Sequence, residues 1–163
     1  MERKRFATIV AVDPDRDAPA ASPEGIAREL PATWRFNFKS IDDEHQQLID
    51  DLNAGWSAFG PAASAPFDRL KTMFVSLKGN MLLHFESEEA EMAALGYPGL
   101  RAHKEQHRSA IERLKTIEAG AAAFGIVRRE DLYALLDTLV DDMLRADVSF
   151  KTFLFARGLI HID

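Results

Sequence analysis

The sequence predicts an all-α fold, an antiparallel up-down four-helix bundle that follows an extended N-terminal arm. Apolar residues recur at spacings of three and four in four stretches after residue 34, and no alternating strand pattern competes with them. Four prolines fall within residues 13–31, which is typical of a linker or an arm. We therefore expect the arm over residues 1–33 and the bundle over residues 34–160.

Each predicted helix has its own end signals. The first begins near Ser40, a candidate N-cap, and ends at Gly60, and the second closes near Gly96. The third ends near Gly120, and the Ala- and Gly-rich segment that follows is interpreted as a connection to a fourth helix over about residues 130–155. Several Met and Phe residues on these stripes are interpreted as core: Met73, Phe74, Met81, Met143, Phe150 and Phe153.

Composition narrows the chemistry that the chain can perform. With 163 residues the chain can form one domain, and the lack of cysteine excludes disulfides and thiolate metal sites. A net charge of −6 without a basic stripe disfavours nucleic acid as a partner. No apolar run is long enough to span a membrane, and acidic residues directly follow the short apolar stretch 6–12, so we expect a cytoplasmic protein. The stretch 7–12 is either a short strand or part of the arm.

Four of the five histidines fall on the apolar stripes of the predicted helices. A helix advances about 100° per residue, so residues four apart lie on one face. His84 and Glu88 have this relation on the second helix, His103 and His107 have it on the third, and His45 lies on the first. Each pair can therefore direct two metal-binding groups at one point in the bundle.

The fourth predicted helix contributes two acids. Relative to Met143, Asp147 lies about 40° to one side and faces the core, whereas Asp142 lies about 100° to the other side, at the edge of the stripe. Ionised carboxylates such as Glu88 and Asp147 require cations when they are buried, and no Lys or Arg shares their stripes. Imidazole and carboxylate ligands suit iron, manganese or zinc, and two carboxylates can bridge two ions.

A structural interpretation competes with this one. A single histidine on a core face is more often a hydrogen-bonded structural residue than a ligand. Four such histidines with two core carboxylates, on four helices, favour a metal site instead. We interpret His161 as a solvated tail residue, and the acidic run 86–91, apart from Glu88, as mainly a solvated face.

Three short segments carry motifs at characteristic positions: residues 41–46 (IDDEHQ), residues 84–89 (HFESEE) and residues 96–98 (GYP), the last followed by His103 and His107. In combination they resemble the bacterial hemerythrin (HHE-type) family, over about residues 34–155. The fourth helix of that family carries the pattern WLxxHIxxxD. Here Asp147 matches its aspartate, Asp142 stands in place of a ligand histidine, and Thr138 stands in place of the tryptophan.

The resemblance implies a site with two iron ions and an oxo or hydroxo bridge, although manganese or zinc could take their place. His45 and His84 would bind one ion, and the other would be bound by a second set of residues: His103, His107 and Asp142. Glu88 and Asp147 would bridge the two ions. In the family, dioxygen binds at the open position of the two-histidine iron, and an apolar pocket, here with Leu139, shelters it.

The substitution at Asp142 leaves its role open. If the carboxylate reaches iron, it favours the ferric state and faster autoxidation; if it does not, a second coordination position opens. We therefore expect an oxygen carrier, store or sensor of altered reversibility. The alternatives are a redox enzyme acting on peroxide, nitric oxide or dioxygen, and an interaction module with a structural or single metal. The sequence identifies no protein partner.

Overall fold

A computed structural model describes residues 35, 38–142 and 146–160 of the chain. Several expectations lie outside these residues: the arm over residues 1–33, its boundary with the bundle, the stretch 7–12, Met143 and His161. The described elements are α1 (Lys39–Ser57), β1 (Ser64–Pro66), α2 (Phe67–Ala94), α3 (Leu100–Phe124), β2 (Ile126–Arg128), α4 (Arg129–Asp141) and α5 (Asp147–Ala156). Within this part of the chain, no helix is long and apolar enough to cross a membrane.

The helices form a ring in which α1 packs on α2, α2 on α3, α3 on α4 and α4 on α1. Two apolar clusters fill its interior and show the direction of each helix. Along α1 the chain passes from Ile41 in the smaller cluster to Leu48 in the larger one. Along α2 it runs the other way, from Phe85 in the larger cluster to Met92 in the smaller one. The first two helices are therefore antiparallel.

The second half of the chain repeats this alternation. Leu100, at the start of α3, packs against the smaller cluster, and Ala110 lies in the larger one. The chain returns from Leu139 of α4 in the larger cluster to Phe150 of α5 in the smaller one. The predicted all-α, up-down bundle is confirmed. Because the helices carry their buried polar residues between these clusters, the candidate site is a polar layer with apolar packing on both sides.

Two predicted helix ends are wrong. The first helix begins at Lys39 with Phe38 as its N-cap residue, so Ser40 lies inside the helix and does not cap it. The third helix continues to Phe124, and Gly125, with φ +70°, ends it in the left-handed conformation that glycine adopts most easily. Gly120 is an interior residue of α3, since surrounding Ala residues favour the helix enough to offset one glycine.

A two-stranded antiparallel sheet joins the two loops at one end of the bundle. Ala65 pairs with Val127, and both side chains are buried in the larger cluster. The expectation of no strands after residue 34 is therefore wrong at this point. Strands of three residues, with partners some 60 positions away along the chain, are too short to produce a recognisable alternation.

Arg129 fastens the loop after α1 to the start of α4. Its guanidinium lies 4.8 Å from the centre of the Trp56 ring, and its Nε donates a hydrogen bond of 2.8 Å to the carbonyl oxygen of Ala62. A second nitrogen donates to the carbonyl oxygen of Gly60. The side chain therefore satisfies two loop carbonyls that the helix does not reach.

We expect Arg129→Ala to lower the free energy of unfolding by about 1–3 kcal/mol, because it removes two hydrogen bonds and a cation–π contact together. Urea unfolding followed by circular dichroism measures the change. Arg69→Ala, at an exposed position of α2, is the matched control and should change stability by less than about 0.5 kcal/mol. Equal effects of the two substitutions would contradict the fastening role.

The fourth predicted helix is divided. Between α4 and α5 the backbone has π-helical hydrogen bonding at Asp142 and Ala146. In a regular α-helix Asp142 and Asp147, five positions apart, would face directions about 140° apart. The wider π turn brings residues five apart towards one face. Both acids are accordingly buried, with Asp142 5% exposed and Asp147 0%, so the expected edge position of Asp142 is corrected to an interior one.

Candidate metal centre

Six buried polar residues from four helical segments meet in the layer between the two apolar clusters. They form two donor groups, and within each group the candidate ligand atoms all lie within 4.8 Å of one another. One group contains Glu88, His103, His107 and Asp147, and the other contains His45, His84 and Asp147. The structure thus brings together all the predicted ligands except Asp142, and Asp147 is common to both groups.

Glu88 and Asp147 lie at the centre of the first group. Glu88 Oε2 accepts a hydrogen bond of 2.7 Å from His103 Nε2 and lies 3.4 Å from His107 Nε2. Asp147 Oδ1 lies 3.6 Å from His103 Nε2, and its Oδ2 lies 3.4 Å from His45 Nε2 in the second group. The two oxygens of Asp147 therefore face different histidines, one from each group.

The second group is built around a pair of imidazoles. His45 Nε2 and His84 Nε2 lie 3.1 Å apart, and both rings are fully buried. His84 Nδ1 donates a hydrogen bond of 3.0 Å to Glu44 Oε2, so the lone pair of the His84 ring is on Nε2, which faces the interior. Burial, and then the neighbouring His84, lower the pKa of His45 to about 3, so His45 also carries a lone pair at neutral pH.

Two acids outside the predicted set orient the histidines. Glu44 binds His84 as described, and Glu89 Oε1 accepts a hydrogen bond of 2.9 Å from His107 Nδ1. Glu89 also pairs with Lys104 at 3.2 Å, so the interpretation of residues 86–91 as a solvated face apart from Glu88 is wrong for this residue. The available signal was that a ligand histidine needs an acceptor for its second nitrogen.

The three buried carboxylates repel one another. Burial raises the pKa of Glu88, but the hydrogen bond from His103 and the nearby His107 imidazole outweigh the effect of burial and bring the pKa to about 2. Burial, followed by the charges of Glu88 and Asp142, raises the pKa of Asp147 well above its ordinary range. Protein groups alone therefore do not stabilise all of these anions, and a cation at this point would.

Buried ligand atoms without hydrogen-bond partners indicate whether the residues of this layer fit a metal ion. Among the residues that the structure describes, five buried side-chain atoms lack a hydrogen-bond partner: His45 Nδ1, Glu88 Oε1, His107 Nε2, Asp147 Oδ1 and Asp147 Oδ2. Leaving buried polar atoms unpaired costs about 1–3 kcal/mol each. Carboxylate and imidazole are also the ligand types that divalent transition metals accept, so the residues present fit a metal.

Three further residues of interest lie on α4 or directly after it. Asp142 Oδ1 lies 3.6 Å from His107 Nε2, but Asp142 belongs to neither of the two donor groups. Thr138, one turn earlier, is 7% exposed and donates from its hydroxyl to the carbonyl oxygen of Ala134. Leu139 is buried in the larger apolar cluster, and its predicted role in sheltering a ligand stays a prediction.

Glu89→Gln should weaken metal binding by about 10–100-fold, because the neutral amide accepts the Nδ1 proton of His107 less strongly and leaves that ligand less basic. Competition with a chromophoric chelator measures the affinity. Glu86→Gln makes the same chemical change at an exposed position of α2 and should leave the affinity unaltered. An unchanged affinity in Glu89→Gln would show that Glu89 does not control this ligand.

Comparison with known proteins identifies the family to which the chain belongs. Residues 37–150 match the model of the hemerythrin HHE cation binding domain. The match includes α1 to α4, the start of α5 and every residue of the two donor groups.

Individual relatives agree with that match. A bacteriohemerythrin of Clostridium acetobutylicum is 30% identical over 88 residues, which cover 51% of this chain and 68% of the relative. A bacteriohemerythrin of Methylococcus capsulatus is 27% identical over 120 residues, or 71% of this chain and 87% of the relative. A hemerythrin subunit of Sipunculus nudus is 24% identical over 128 residues, or 76% of this chain and 94% of the relative.

Proposed function

The chain belongs to the hemerythrin HHE cation-binding domain family, and from that premise we propose that it is a non-haem diiron protein that binds dioxygen. One observation carries the proposal. Asp147 is shared by two donor groups, and neither of its buried oxygens has a hydrogen-bond partner among the described residues. A carboxylate in that state is arranged to bind one cation with each oxygen.

In this proposal His45 and His84 hold one ion, and His103 and His107 hold the other. Glu88 and Asp147 would supply the carboxylate oxygens that hold these ions together with the imidazoles. Glu44 and Glu89 keep the protons of His84 and His107 on Nδ1, so that both Nε2 lone pairs face the ions. Iron bound here supplies reversible redox chemistry with dioxygen, whereas manganese or zinc in the same ligands would not carry it in the same way.

Asp142 is proposed to alter the reversibility of oxygen binding. Its buried carboxylate lies 3.6 Å from His107 Nε2 and faces the first donor group, which contains His107, without joining it. An anion so close to the site, in a region of low dielectric, stabilises the more highly charged, oxidised state. Asp142 thus favours autoxidation over prolonged oxygen carriage.

The proposal is tested on protein purified without added metal and then reconstituted anaerobically with ferrous iron. Two ions per chain and a visible absorption band on exposure to dioxygen are the expected results. The band should decline over repeated cycles of oxygenation and deoxygenation. Failure to bind any transition metal under all loading conditions would refute the diiron proposal, and full recovery over many cycles would refute the altered reversibility.

Asp142→His should slow autoxidation, because it replaces an anion beside the site with a neutral nitrogen ligand. The rate of loss of the oxygenated absorption band measures this effect. Asp141→His is the matched control, since it makes the same change one position earlier, at an exposed site. Equal autoxidation rates in wild type and Asp142→His would place Asp142 outside the environment that controls oxidation.

A second candidate function is a diiron enzyme that acts on peroxide, nitric oxide or dioxygen. One observation favours it, namely a cavity that connects the protein surface with Asp142. Steady consumption of peroxide by the iron-loaded protein with an added reductant would distinguish this enzyme from a binding protein. The cavity itself supports a more specific inference.

A further inference from the structure

A cavity lies between α3 and the place where α4 ends, and it has a volume of about 280 Å³. Its outer wall contains the exposed residues Ser109 and Arg113 of α3. Its inner wall contains Thr138, Asp142 and Ala146, which follow one another at intervals of four and are all buried. The cavity therefore leads from the surface to the interior, and short side chains line its inner wall.

The inner end of this cavity adjoins the candidate metal centre. Asp142 is 5% exposed, and its carboxylate approaches His107 Nε2 to 3.6 Å. That nitrogen is one of the buried atoms without a hydrogen-bond partner in the part of the chain that the structure describes. A small molecule at the inner end of the cavity would therefore meet the Asp142 carboxylate and, beyond it, a candidate metal ligand.

The charges and polar groups of the cavity limit what it can bind. Two acids, Asp141 and Asp142, and one base, Arg113, line it, so the lining carries a net negative charge and disfavours small anions. Dioxygen is apolar and gains no hydrogen bonds from these walls. A small neutral molecule that donates hydrogen bonds can bind the Asp142 carboxylate, and the Thr138 hydroxyl, which donates to Ala134, can accept another.

We propose that this cavity is a binding and entry site for hydrogen peroxide, with Asp142 as its hydrogen-bond acceptor at the inner end. Hydrogen peroxide is neutral at physiological pH, has two donor groups and fits easily within the cavity volume. The inference rests on the proposed function, because peroxide that reaches Asp142 is placed beside the ion that His103 and His107 would hold.

Two substitutions at the same position, Ser109→Trp and Ser109→Ala, test the proposal. Ser109 is an exposed residue of the outer wall and not a candidate ligand, so both variants should fold and bind metal. Tryptophan would block the entrance, whereas alanine would leave it open. The metal content of each variant, measured first, shows whether the site itself is intact.

The first measurement is nuclear magnetic resonance of protein labelled with carbon-13 at the aspartate side-chain carboxyls, in zinc-loaded and in metal-free form. The Asp142 signal is assigned by its loss in Asp142→Asn. Hydrogen peroxide should shift this signal saturably in wild type and Ser109→Ala, with an affinity at least about tenfold weaker in Ser109→Trp. An unchanged Asp142 signal in wild type, or equal shifts in all three proteins, would overturn the proposal.

The second measurement is the rate at which the reduced, iron-loaded protein is oxidised. Ser109→Trp should lower the rate with hydrogen peroxide by about tenfold and leave the rate with dioxygen nearly unchanged, because peroxide gains hydrogen bonds in this cavity and dioxygen does not. Equal losses with both oxidants would overturn the proposal. If the protein binds no iron but the metal-free form still shows the saturable shift, the diiron function fails and the peroxide site stands.

Discussion

Glu88→Gln is expected to reduce metal affinity by about 100-fold or more, the effect of removing one partner from a buried charge pair. Glutamine has the same size but no charge, so it preserves packing while it removes the anion that contacts His103 at 2.7 Å and His107 at 3.4 Å. Isothermal titration with zinc or ferrous iron under anaerobic conditions measures the loss.

Glu86→Gln is the matched control, two positions away on the exposed face of the same helix, and it should bind metal as wild type does. Circular dichroism of the metal-free proteins checks that both variants remain helical. Wild-type affinity in folded Glu88→Gln would show that Glu88 is not a ligand. A loss in Glu86→Gln of equal size would point to general damage to α2 instead.

The candidate site could be predicted because α-helical geometry converts spacing into direction. Residues four apart must share a face, so His84 with Glu88 and His103 with His107 had to point together once their helices were assigned. All four are buried and lie in the tight groups. The expected edge position of Asp142 is wrong because it depends on a regular α-helix, whereas the backbone has π-helical hydrogen bonding at this residue.

Contacts between helices were harder to predict. Glu44 neighbours His45 in the sequence, yet it binds His84 on another helix. Its partner depends on how α1 is rotated against α2, and periodicity within one helix does not determine that angle. The same limit applies to the sheet, since the pairing of Ala65 with Val127 depends on where two distant loops meet. Local spacing thus predicted which residues turn inward, and packing decided which of them touch.

The polar layer has an energetic consequence of its own. It interrupts the apolar interior with four imidazoles and three carboxylates, all at most 5% exposed. Without a cation these groups are desolvated and only partly hydrogen-bonded, which destabilises the fold. Metal binding should therefore raise the free energy of unfolding. Once the free metal concentration exceeds the dissociation constant, this increase grows with the logarithm of that concentration. The bundle can keep this layer because apolar clusters pack on both sides of it.

His45 should make the metal-free protein sensitive to acid. Burial, with a smaller effect of His84, lowers the pKa of this imidazole from 6.5 to about 3. Between these values the unfolded chain binds a proton that the native protein does not. The free energy of unfolding therefore falls as the pH decreases through this window and is fully retained only above pH 6.5. Glu88, whose pKa is lowered to about 2, adds a loss of the same sign at lower pH.

His45→Phe isolates this contribution, because phenylalanine fills a similar volume without titrating and the carboxylates are common to both proteins. Between pH 7 and pH 4 the free energy of unfolding of metal-free wild type should fall by about 3 kcal/mol more than that of the variant. Urea unfolding at both pH values measures the difference. Trp56→Phe, a buried change that removes no titratable group, should differ from wild type equally at the two pH values. A pH-independent gap between wild type and His45→Phe would mean that His45 gains a proton as readily in the native protein as in the unfolded chain, and the buried, neutral ligand inferred from its position would be wrong.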